Sequence, residues 1–209
     1  MSLFPMFVKL QGRRVVVVGG GVVAEQKISA LLEADARLRV IAPYITQRIS
    51  EWLGAGKIEW VNRAFASGDL HDAYLVVAAT STPGANAAVF AEAEDRGILC
   101  NAVDDIENCH FYYGAVVQRG DLQIAISTNG KSPALAQRIR KELEQTYTEE
   151  YAFWLECLGA ARDMMRTNST NNSGESEQSK AILHHMASQE MFERFVHQTR
   201  PEAAGHGDA

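Results

Sequence analysis

Three short stretches of this chain hold residues whose types and spacing can do chemistry. The first is Gly19-Gly20-Gly21-Val22-Val23-Ala24. Its frame, Gly19-x-Gly21-x-x-Ala24, puts small residues where a dinucleotide needs them. Gly19 allows a tight turn, Gly21 lets a pyrophosphate approach the backbone, and Ala24 lets helix and strand pack closely. The phosphates would rest on the free N–H groups and positive end of the helix that follows. The second stretch is Asp104-Asp105, at the end of a strand read over 98–103, where open α/β sheets place their ligands. A carboxylate there can accept a proton, orient a substrate, or simply cap the strand end; spacing leaves all three open. The third is Thr128-Asn129-Gly130-Lys131-Ser132, a polar loop running into a helix N-terminus. It suits anions, with Lys131 as a point charge, and its plainer reading is an ordinary Ser-Pro helix cap.

The elements that must position these residues follow from periodicity. Val15 to Val18 is a run of β-branched residues and reads as a buried strand, followed by a helix over 24–34 with the apolar spacing Ile28, Leu31, Leu32. Asp35 stands at the end of that helix, where glycine is the easy residue. Strands are predicted over 38–42, 57–61, 74–79 and 98–103. Helices fall over 46–53 and from Thr82-Pro83 to a closing Gly97. Strands alternating with helices predict an α/β, Rossmann-type doubly wound parallel sheet over residues 1–113. The pattern then changes to a hairpin over 115–126 about Gly120-Asp121. A helix capped by Ser132, with Pro133 first, runs through Ala136, Ile139 and Leu143, completing a segment 114–147. Residues 148–209 read as a small helical domain anchored by Phe153, Trp154, Leu155 and Leu158. It contains a polar link at 167–174, a last helix over 177–197 and a disordered tail from Pro201.

The dinucleotide fingerprint calls for an acid about 20 residues after the glycines, on the ribose hydroxyls. Val40-Ile41-Ala42-Pro43-Tyr44 offers none, so ribose contacts fall to backbone groups near Pro43 and Tyr44. No Arg or Lys follows that strand to receive a 2′-phosphate, which favours NAD over NADP. The cofactor set read from the chain is Gly19, Gly21, Val22, Val23, Ala24, Pro43, Tyr44 and Thr80.

Bulk composition narrows the function classes. At 209 residues, 46% hydrophobic and 22% charged, the chain has the make-up of a globular protein able to bury one substantial core. The net charge of −6 weighs against nucleic acid as the main partner. No apolar run approaches the roughly 20 residues of a membrane span, and the first residues do not form a cleavable leader. Three cysteines without CxxC spacing argue for a reducing cytoplasm and against a disulfide framework or zinc site.

Three stretches together carry a resemblance to the precorrin-2 dehydrogenase and sirohydrochlorin ferrochelatase family, the siroheme-synthase N-terminal type. They are Gly19 to Lys27, Cys100-Asn101-Ala102-Val103-Asp104-Asp105, and Arg119 to Ala136. The third is the discriminating one, because an ordinary Rossmann enzyme has no reason to contain it. The match spans about residues 5–145. Gln26, Asn129 and Gly114 depart from the family's usual Arg, Gly and Pro; Asn129 still tolerates left-handed angles.

The resemblance implies NAD⁺-dependent oxidation of precorrin-2 to sirohydrochlorin, with Fe²⁺ insertion in some members, and a homodimer formed through the hairpin segment. It implies that the functional aspartate is Asp104 rather than Asp105. Substrate carboxylates would meet Asn101, Thr128, Asn129 and Lys131. Fe²⁺ or Co²⁺ would be a transient visitor: His184-His185 point in different directions on a helix, and Cys109 reads as a small buried residue, so no resident metal site is expected. A non-catalytic NAD- or tetrapyrrole-binding redox sensor is the alternative, and it would keep Gly19 and Gly21 without needing Asp104.

Overall fold

The computed structural model describes residues 3–82, 84–168 and 176–199. The chain divides into two compact units, Leu3–Tyr113 and the residues from Gly114 on. In the first unit, strands β1 (Arg14–Val18), β2 (Arg37–Ile41), β3 (Ile58–Val61), β4 (Leu75–Ala78) and β5 (Leu99–Ala102) form one sheet in the order β3-β2-β1-β4-β5. Every pairing is parallel; Val17 on β1 faces Val40 on β2 and Val77 on β4. Helices α1 (Val22–Glu33), α2 (Gln47–Gly54) and α3 (Ala85–Arg96) make the crossovers.

The period-2 alternation of a strand divides the valines of β1 between two cores. Val15 and Val17 pack with Ala24, Ile28 and Leu31 of α1 and Ile49 of α2. Val16 and Val18 pack with Val76, Val89, Ala93 and Cys100 on the other face. A sheet covered on both sides explains why its strands are continuous apolar runs instead of alternating ones. Chain order reverses between β1 and β4, and the crevice at the carboxyl ends of those two strands is where such folds hold ligands.

The predicted strand and helix positions hold to within a few residues, with one shift. α3 begins at Ala85 after Gly84 (φ 74°), later than the predicted start at Thr82-Pro83. Thr80 is instead tied to Asn86: its N–H donates to Asn86 Oδ1 at 3.3 Å and its carbonyl accepts from Asn86 Nδ2 at 3.3 Å. Pro83 lies outside the described residues. Asp35 does take the left-handed conformation its position demands, at φ 55°.

In the second unit, β6 (Ala115–Arg119) and β7 (Leu122–Ile126) form an antiparallel hairpin, followed by α4 (Pro133–Thr146) and α5 (Glu150–Asn168). Ser132 caps α4, accepting from the Leu135 N–H at 3.2 Å. The single helix predicted over 177–197 is two helices, α6 (Glu177–Met186) and α7 (Gln189–Thr199). The break has a local cause: Ser188 Oγ accepts from the Met191 N–H and opens a new helix. Phe192 of α7 stacks on Tyr151 and Trp154 of α5, with ring centroids 4.0 and 4.8 Å away. Trp154 is therefore an anchor, whereas Phe153 is 56% exposed. Most of the predicted polar link and the tail from Pro201 lie outside the described residues.

Candidate functional site

The carboxyl end of β1 turns into α1 through three glycines that do different physical work. Gly19 has φ 125°, and a Cβ there would lie 2.2 Å from the Ala79 carbonyl oxygen. A Cβ on Gly20 would lie 2.1 Å from the Tyr44 carbonyl oxygen. Both positions are closed by the protein's own backbone. Gly21 is the reverse: nothing lies within 4 Å of where its Cβ would be. It is the N-cap of α1 and contributes no side-chain cap, so the first N–H groups of the helix face open space. A backbone that needs no side chain for its own packing, at a bare helix N-terminus, fits a pyrophosphate. Ala24 is fully buried against the sheet, where a larger residue would push helix and strand apart.

The next loop is fastened to this turn. The Thr46 N–H donates to the Gly20 carbonyl at 3.0 Å, and the Thr46 hydroxyl donates to Glu25 at 2.6 Å while accepting from the Ile49 N–H. This fixes Pro43 and Tyr44 beside the glycines. A cavity of about 640 Å³ opens at the switch point. Gly19, Gly21, Val22, Val23, Pro43, Tyr44 and Thr80 line it, together with Asp104. Of the predicted cofactor set, Ala24 alone stands behind the wall, in the packing position assigned to it.

Asp104 follows β5 in the left-handed region, at φ 62°, a conformation that most residues with a Cβ resist. The Val103 N–H bonds the Ala78 carbonyl at 2.8 Å, which holds the backbone just before Asp104 to the end of β4. Asn101, expected at the substrate's carboxylates, lies in β5 with its amide nitrogen engaged by the fold. It is 6% exposed, and its amide donates to the Phe111 carbonyl at 2.8 Å and to Cys109 Sγ. That side chain pins the returning segment 109–111 to β5 and serves the fold. Cys109 in turn bonds the carbonyls of Ala102 and Asp105.

Thr128, Asn129 and Lys131 belong to the second unit, in the loop between β7 and α4. The Thr128 hydroxyl accepts from the Ser132 N–H at 3.2 Å and its carbonyl from the Lys131 N–H at 3.1 Å. Asn129, at φ 53°, donates its N–H to Ser127 Oγ. Lys131 is exposed. Among the described residues there is no group of three or more His, Cys, Asp or Glu side chains placed to hold a metal ion. No described helix is long and apolar enough to cross a membrane.

The parallel sheet, the glycine turn at its switch point and the cavity in front of it define a dinucleotide-binding protein of the Rossmann class. Residues 6–115 match the family model described as putative NAD(P)-binding, and the chain belongs to that family. Residues 119–146 match the model of the sirohaem biosynthesis protein central segment. Siroheme synthase 1 of Serratia proteamaculans is 36% identical over 166 residues, covering 79% of this chain and 35% of that protein. The siroheme synthase of Actinobacillus pleuropneumoniae serotype 7 is 41% identical over 144 residues, covering 69% of this chain and 30% of that protein. The chain thus spans about a third of the length of these relatives. Among solved structures, the precorrin-2 dehydrogenase SirC superposes with a TM-score of 0.75 at 27% identity, over 94% of this chain and 98% of that one.

The sequence passed over Gly20, Thr46 and Asn86. Gly20 was the unassigned x of the G-x-G frame, and only the Tyr44 backbone lying against it reveals the constraint. Thr46 carried a readable signal, a threonine before a helix, but its bond to Glu25 is tertiary.

Proposed function

We propose that this chain oxidises precorrin-2 to sirohydrochlorin with NAD⁺, as a step in siroheme synthesis. The observation that carries the reading is a single cavity lined by both the ligand-ready glycine turn and Asp104, in a chain similar along nearly its whole length to a precorrin-2 dehydrogenase. When bound, the nicotinamide supplies a hydride acceptor. Gly19 to Val23 seat the pyrophosphate, and the backbone at Pro43 and Tyr44 meets the adenosine ribose. With no acid and no cation at that position, NAD⁺ is preferred over NADP⁺. Asp104 takes the proton that leaves the tetrapyrrole as its hydride departs, so the ring loses one hydride and one proton, two electrons in all. Thr128, Asn129 and Lys131 serve the substrate's carboxylates.

The chain is further proposed to pair as a homodimer through the hairpin. Val116 and Ala125 face each other in register, and both are exposed, while Val117 on the opposite face is buried. A cytoplasmic setting accords with three free cysteines. Insertion of Fe²⁺ or Co²⁺ into sirohydrochlorin is a separate activity in which the metal is a substrate, and it is read by its own assay.

The test is anaerobic incubation with precorrin-2 and NAD⁺, following sirohydrochlorin and NADH by absorbance. Both products rise together on this reading. Cofactor binding without turnover by the wild-type protein would overturn it in favour of a redox sensor.

A further inference from the structure

Helix α1 carries a partly buried cation, Lys27. Lys27 lies one helical turn beyond Val23, a residue of the cavity wall. It is partly buried, and its Nζ sits 3.8 Å from the centroid of the Tyr113 ring, within cation–π reach. Burial draws its pKa below the ordinary lysine value, and the negative charge of Asp104 pushes it back up. Among the described residues Lys27 makes no ion pair, and the field of Asp104 is the charge that supports it. The other well-covered cations of this unit differ. Arg14 and Arg39 each hold both Glu59 and Asp72. A partly desolvated ammonium that is oriented by a ring but not neutralised still favours an anion.

The proposed substrate bears many carboxylates, whereas the chain carries a net charge of −6 and places Asp104 in the cavity wall. A carboxylate approaching Asp104 needs a cation beside it. We propose that Lys27, one turn along the same helix face as the cavity residue Val23 and steadied over Tyr113, anchors a carboxylate of the acidic tetrapyrrole beyond the cavity wall. This rests on the functional reading above and makes Lys27 a substrate-binding residue of the first unit, on a helix otherwise given to the cofactor.

The test compares wild type with Lys27→Met, which keeps the apolar stem and removes the charge, and with Lys27→Arg, which keeps the charge. Three quantities are read: KM for precorrin-2, direct binding of sirohydrochlorin without cofactor, and the Kd of NAD⁺ alone. In Lys27→Met, KM rises and sirohydrochlorin binding weakens by about tenfold, while NAD⁺ affinity and melting temperature stay at wild-type values. Lys27→Arg recovers most of the loss. Unchanged sirohydrochlorin binding in Lys27→Met overturns the anchor. So does a loss that comes with a lowered melting temperature and weakened NAD⁺ binding, since Lys27 would then be serving the fold. If wild type binds sirohydrochlorin but does not oxidise precorrin-2, the functional reading fails while the binding comparison still decides the role of Lys27.

Discussion

The Thr46 hydroxyl donates a 2.6 Å hydrogen bond to the Glu25 carboxylate, joining the cap of α2 to the first turn of α1. The two helices that follow β1 and β2 are thereby locked at the ends that face the cofactor cavity. Thr46→Val keeps the side chain's shape and removes both the cap acceptor and this donor. It is expected to lower stability by about 1–2 kcal/mol, from loss of one helix cap and one charge-assisted hydrogen bond. NAD⁺ affinity should fall several-fold, because Pro43 and Tyr44 lose one of the two bonds that hold their loop to the start of α1, the backbone bond from Thr46 N–H to Gly20 remaining. Chemical denaturation and a cofactor titration on the same variant check both.

Gly20 and Gly21 should separate folding from binding. Gly20→Ala sets a methyl 2.1 Å from the Tyr44 carbonyl, so the protein should unfold at markedly lower temperature or fail to accumulate. Gly21→Ala meets no protein atom within 4 Å and should fold normally. Its methyl would occupy the space a pyrophosphate needs, weakening NAD⁺ by about tenfold or more. Thermal melts and cofactor binding of the two variants give the comparison; equal stability in both would contradict the geometry.

Asp104, the proposed proton acceptor, has a left-handed backbone at φ 62°. Asparagine tolerates that conformation at least as well as aspartate, alanine less, and glycine best. Asp104→Asn should therefore abolish turnover of precorrin-2 at unchanged stability. Asp104→Ala should lose turnover together with about 1 kcal/mol, and Asp104→Gly should be inactive yet at least as stable as wild type. NAD⁺ binding should persist in all three. Melting curves beside turnover measurements separate the carboxylate's chemistry from its backbone's strain.

How much of this was legible in the chain depends on the range of the interactions involved. The valines of β1, the cap at Ser132 and the left-handed Asp35 are decided by neighbours within a few residues, and the sequence reading agrees with the structure there. Asn101 illustrates the opposite. Its bond to the carbonyl of Phe111, ten residues on, forms only once the chain has turned back, so no local pattern announces it. The split between α6 and α7 failed for a subtler reason: an apolar spacing that continues across Ser188 conceals a serine that caps a new helix. Lys27 was visible merely as part of a motif, because its ring partner lies 86 positions away in sequence and no periodicity connects the two.

Acid should weaken the first unit through its strand-end charges. Burial pushes Asp72 and Glu59 up, but hydrogen bonds and charge from Arg39 and Arg14 outweigh it and hold both carboxyls below their ordinary values. The hydrogen bond from Arg63 depresses Asp69 in the same direction. Groups whose folded values lie below their unfolded ones bind fewer protons in the native state. Their contribution is complete above the unfolded values and disappears as pH falls through the folded ones. Stability should thus stay level down to about pH 5 and decline below it. All three carboxyls are partly solvated, so each effect is modest. Arg39 touches two of them, and Arg39→Gln should flatten the acid limb of the curve more than Arg48→Gln, whose only ion-pair partner among the described residues is Glu51 on the same helix. Melting temperature measured from pH 7 to pH 3 on the three proteins makes the comparison, and parallel curves for both variants would assign the acid sensitivity to other groups.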